Sequence, residues 1–95
     1  MESLTALNQR LELSEVIYRA TQALAGLKKK VSGAIAVSRT DEGWKVILEI
    51  VERASVPDTM DLIGVYGVKL DFEGQLVSYE RTRIRRRSDL EESVD

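Results

Sequence analysis

Between Val16 and Leu27 the apolar positions recur every third or fourth residue; beyond residue 30 they recur every second. The first period sets Val16, Ile17, Ala20, Ala23, Leu24 and Leu27 along one stripe, with Arg19, Gln22 and lysines opposite. Ser14 reads as an N-cap, with Leu13 stapled onto Tyr18 and Glu15 complementing the dipole of the first turn. The pattern predicts an amphipathic helix over about 14–29, with Gly26 marking an early end.

The second period predicts four strands. "SGAIAVSRT" is small and β-branched; "TDEG" then turns the chain into "WKVILEIVER", where Trp44, Val46, Leu48 and Ile50 share one face. Pro57 and Asp58 turn the chain again. In "MDLIGVYGVKLD", Leu62, Tyr66, Val68 and Leu70 line one face; Gly64 and Gly67 inside the strand suggest a bulge or close packing against the helix. "DFEG" leads into "QLVSYERTRIRRR", whose alternation predicts Val77, Tyr79, Arg81, Arg83 and Arg85 on one face. The expected fold is α+β: one N-terminal amphipathic helix packed on a four-stranded antiparallel sheet of two hairpins, in two layers. Residues 1–13 read as a flexible or short helical start, 14–87 as a single domain, and 88–95 as an acidic C-terminal tail.

Composition narrows the chemistry. With 95 residues the chain fits one small domain. It has no cysteine and no histidine, which removes disulfides, thiolates, the commonest general base and the commonest zinc ligand. No nucleotide-binding, zinc-protease or serine-hydrolase motif is present. The acidic residues Asp41, Glu42, Asp71 and Glu73 fall in turns, where they have local work, and no EF-hand pattern occurs. No catalytic, metal or cofactor residues are therefore expected, and no enzyme. The absence of a long apolar run and of a signal-like start argues for a cytoplasmic protein without a membrane span.

The arginines carry the remaining signal. Arg81, Arg83, Arg85 and Arg86 crowd one strand of a chain whose net charge is only −2. As alternate strand residues, Arg81, Arg83 and Arg85 would form a ladder with Tyr79: a solvated sheet face, a protein-binding stripe, or a nucleic-acid patch. A nucleic-acid platform would interleave several exposed aromatics, and Tyr79 is the lone aromatic on that face. Trp44 reads first as core and second as a partly exposed contact. Tyr66 and Tyr79 are placed to meet as a cross-strand pair. The candidate partner-binding set is Trp44, Tyr79, Arg81, Arg83, Arg85 and Arg86.

One resemblance adds to this. Gly43-Trp44 opening a strand, "VER" followed by "PDT", a Tyr-x-Val-x-Leu-Asp strand, an acidic-Gly turn and a closing Tyr-x-Arg-x-x-Arg occur in the order in which they stand across residues 43–87. That succession resembles the gas vesicle protein O family. It departs from the family pattern at Gly67, where a glutamate is expected, and at Ile84, where an aromatic is. The resemblance implies a non-enzymatic accessory protein needed for gas vesicle formation. It would act through contacts with other gas vesicle proteins, shell or accessory, in the cytoplasm or on the vesicles. The alternative is a single-stranded nucleic-acid or regulatory binding module using the last strand. A ligand pocket between helix and sheet is a third reading, and the sequence leaves open whether the domain forms a homodimer.

Overall fold

The structure, a computed structural model, describes residues 11–89. Helix α1 (Leu13–Gly26) precedes β1 (Val31–Thr40), β2 (Gly43–Arg53), β3 (Leu62–Leu70) and β4 (Leu76–Arg86), with a 3-10 turn at Asp58–Met60. The strands pair antiparallel in chain order, β1-β2-β3-β4, so the two hairpins join through β2 and β3 into one meander. The helix lies across one face, giving the two-layer α+β arrangement. What was expected of residues 1–10 and of the acidic residues 90–95 lies outside the described residues.

The helix ends differ in detail from the expectation. Its N-cap is Glu12, which makes no side-chain capping bond, so Ser14 sits inside the first turn. Leu13 and Tyr18 are both largely exposed and form no staple. At the other end Lys28 takes a positive φ of 69°. The Lys28 and Lys29 N–H groups donate to the carbonyls of Ala25 (2.9 Å) and Leu24 (3.0 Å). This is a Schellman stop, and it ends the helix at Gly26, short of residue 29.

The core forms where the two apolar periods meet. Val16, Ala20 and Leu24 of α1 are fully buried against Val46, Leu48 and Ile50 of β2 and Tyr66, Val68 and Leu70 of β3. Leu76 and Val37 close its flanks. Arg19 ties α1 to the β3–β4 turn: it bonds Glu15 one turn earlier and donates to the Glu73 carbonyl at 3.1 Å. Gly74 in that turn has φ 87°, and a side chain there would strike Arg19. The acidic turn residues do the local work expected, since Asp71 Oδ1 accepts from the N–H groups of Glu73 and Gln75, both at 2.9 Å.

Candidate functional site

The site is set by one extra residue. In β4, Tyr79 pairs with Val68 and Arg81 with Tyr66, whereas Arg83 pairs with Val65 and Arg85 with Ile63. Thr82 has no partner in β3; its hydroxyl instead donates to the Val65 carbonyl at 3.1 Å. Residues directly opposite share a face, so this bulge reverses the alternation. Tyr79 and Arg81 lie with Tyr66 and Val68 on the helix side; Arg83 and Arg85 lie on the other. The expected single ladder of Arg81, Arg83 and Arg85 is thus corrected to two half-ladders. Ile84 and Arg86, paired with Gly64 and Leu62, return to the helix side.

On the helix side, α1 covers β1 and β2 but leaves β4 open. Tyr79 is 40% exposed and Ile84 46%. Beside them is a built cluster. The Tyr66 hydroxyl donates to Glu52 Oε2 at 2.6 Å, and Arg81 Nη1 approaches the same oxygen at 3.6 Å. The Tyr66 ring lies 6.2 Å from that of Tyr79, its diagonal neighbour and not the directly opposed pair expected, and Lys29 Nζ stands 5.3 Å from the Tyr66 centroid. Gly64 forms the floor, because a Cβ there would collide with the Glu52 carboxylate and the Tyr66 ring. The close approach expected at Gly64 is therefore to these side chains and not to the helix. Burial, reinforced by the Glu52 charge, raises the Tyr66 hydroxyl above its usual pKa of 10, so it remains a donor.

On the far side Arg85 is structural. Its side chain is only 10% exposed and pairs with the Glu49 carboxylate. It runs beside Ile63, which is buried on the sheet face turned away from α1. Arg83, by contrast, is exposed and forms no ion pair among the described residues. Arg86 is exposed too, and its N–H donates to Asp89 Oδ2 at 3.2 Å. Trp44 belongs to the core: it is 7% exposed, and its indole N–H has no partner among the described residues. That removes it from the exposed contact set.

The β2–β3 connection, with its cis Val56–Pro57 peptide, is pinned by buried Asp61. Asp61 accepts from the Ser55 N–H at 2.7 Å and from Arg87 at 3.1 Å. The Ser55 bond and the Arg87 charge outweigh burial and lower its pKa from 3.8.

Two hollows on the described surface bear on the third reading. One, of about 300 Å³, is lined by Thr40, Asp41, Glu42, Trp44, Lys69, Leu70 and Val77. The other, of about 260 Å³, lies over Gly67 between Lys45, Lys69, Ser78 and Thr82. No helix residue lines either, so neither is the pocket between helix and sheet of that third reading. No cluster of three potential metal ligands occurs among the described residues, and no helix there is long and apolar enough to cross a membrane.

Fold and site define a small helix-on-meander domain whose most organised surface is an aromatic–arginine strip along an open sheet edge. Its lineage is specific: residues 2–91 match the family described as gas vesicle synthesis protein GvpO, and the chain belongs to that family. Gas vesicle protein O1 of Halobacterium salinarum is 40% identical over 83 residues, which cover 86% of this chain and 70% of the relative. Gas vesicle protein O of Haloferax mediterranei is 37% identical over 84 residues, 86% of this chain and 60% of the relative. A Streptomyces gas vesicle protein O is 49% identical over 45 residues, 47% of this chain and 35% of the relative. No solved structure matches.

Proposed function

We propose that this chain is a non-enzymatic accessory protein of gas vesicle formation that works in the cytoplasm by docking onto other gas vesicle proteins. The observation that carries the reading is the strip of Tyr79, Arg81 and Ile84, left uncovered by the helix and braced by Glu52 and Tyr66. Half-exposed aromatic and apolar surface next to an oriented guanidinium is the composition of a protein-contact hot spot. Arg86 extends the strip on the same face, whereas Arg83 stands on the other. Nucleic acid fits less well, because the cations are divided between two faces and Tyr79 offers a single stacking surface.

The test is capture of gas vesicle proteins from a producing host by the wild-type chain and by a Tyr79→Ala/Arg81→Glu variant. Loss of capture and of vesicles, with circular dichroism unchanged, supports the reading. Undiminished capture and vesicle formation by the folded variant would remove the strip from it.

A further inference from the structure

We propose that the hollow over Gly67, on the sheet face turned away from α1, binds the side-chain carboxylate of a glutamate presented by another protein, clasped between Lys45 and Lys69. The register builds this site. Ser38 pairs with Lys45, Lys45 with Lys69 and Lys69 with Ser78. One row across all four strands therefore reads hydroxyl, ammonium, ammonium, hydroxyl.

Like charges directly opposed on neighbouring strands repel, and an anion held between them relieves the repulsion. Lys45 and Lys69 are both exposed, and neither joins an ion pair among the described residues. Three carboxylates stand near. Asp41 and Glu42 share the other hollow with Lys69, and Glu80 lines this one, yet none of them pairs with either lysine.

Shape and charge select the ligand. The next row on the same face is Ala36, Ile47, Gly67 and Glu80. Gly67 has no side chain, and a hollow of about 260 Å³ opens over it. A Cβ there would find Lys45 Cε at 3.7 Å and methyl groups of Ile47 and Thr82 at 4.0 Å, so hydrocarbon surrounds the base of the hollow. The Thr82 hydroxyl is turned away, to the Val65 carbonyl. The donors belong to the lysine row alongside. A glutamate suits both parts: its methylenes lie on the hydrocarbon and its carboxylate bridges the two ammonium groups. Glu80 offsets one of the two lysine charges, which favours a singly charged group over a phosphate dianion. Tyr79 and Arg81 lie on the opposite face, and the inference does not depend on the docking role assigned to them.

The probe is a blocked pentapeptide carrying two glutamates, titrated at low salt into isotope-labelled protein and followed by NMR. Its glutamine twin, inorganic phosphate and a thymidine oligonucleotide run beside it. The glutamate peptide should shift the amide signals of Lys45, Gly67, Lys69 and Ser78 and spare those of Arg83 and Arg86; the glutamine twin should shift none. Lys45→Gln combined with Lys69→Gln should weaken binding roughly fivefold or more, and Glu80→Gln should strengthen it about two- to threefold. Gly67→Glu supplies a carboxylate from the strand itself, and should abolish binding and raise the Tm. Tyr79→Ala/Arg81→Glu should leave the shifts unchanged, which separates failure of this site from failure of the helix-side strip. No shift at the named residues overturns the proposal. So do shifts centred on the arginines, a double lysine variant that binds like wild type, or tighter binding of phosphate or the oligonucleotide than of the peptide.

Discussion

Arg81 and Arg83 stand two positions apart on β4 and point to opposite faces of the sheet, because Thr82 between them has no partner in β3. Arg81 reaches the Glu52–Tyr66 pair on the helix side, and Arg83 stands opposite Val65 on the other. Charge reversal at the two positions should therefore separate. If one partner surface reads the helix side, Arg81→Glu abolishes capture and Arg83→Glu leaves it near wild type. Quantitative pull-down with each single variant measures this.

Arg85 should behave unlike either. Its side chain and the Glu49 carboxylate are mostly withdrawn from solvent, so Arg85→Ala strands a poorly solvated charge and uncovers Ile63. A loss of about 2–3 kcal/mol is expected. Arg83→Ala should stay within about 0.5 kcal/mol of wild type. Urea unfolding of the two variants tests the contrast.

The two strand glycines should respond oppositely. Gly64→Ala drives a methyl into the Glu52 carboxylate and the Tyr66 ring, and should cost about 1–3 kcal/mol. Glu52→Ala in the same chain should recover part of that loss, which a double-mutant cycle would register. Gly67→Ala meets nothing closer than Lys45 Cε at 3.7 Å and should be neutral or stabilising.

Lys28 holds the left-handed position of the helix stop, with φ 69°. Lys28→Gly relieves a conformation that side chains disfavour, and should add about 1 kcal/mol. For a domain of this size that is a rise in Tm of roughly 4–8 °C. An unchanged or lower Tm would contradict the assignment.

Asp61 gives the acid limb of stability a source. Its carboxyl is held below its ordinary value, chiefly by the Ser55 N–H. The contribution is complete above the unfolded pKa of about 4 and fades as pH falls through the lower folded value. Asp61→Asn should flatten the dependence of stability on pH in that window. For Tyr66 the sign is opposite. Its raised pKa makes a contribution that is present below pH 10 and lost as pH climbs through the folded value. Tyr66→Phe should remove that alkaline loss, as followed by unfolding across the range.

The helix and the four strands were legible because the helical period is unbroken from Val16 to Leu27 and each strand is bounded by turn residues. The site was only half legible. Arg81, Arg83 and Arg85 have the spacing of a ladder, and Thr82 gives no warning: it is β-branched, like any good strand residue, and a bulge there needs no glycine. Glu52, fourteen positions from Tyr66, joins the cluster only because of how β2 registers on β3. Gly64 was the one available signal, a strand glycine that asked what crosses it. Ser14 has the residue type of an N-cap, but the helix begins one residue before it.

Because every strand pairs with its neighbour in sequence, the sheet can grow in the order of synthesis. That order leaves β3, whose run from Ile63 to Val68 is buried throughout, as a bare apolar edge until β4 emerges. The arginines of β4 then close that edge and become the new outer strand. In this position they act as gatekeepers: the strand that completes the sheet is also the one least able to recruit a further copy of itself.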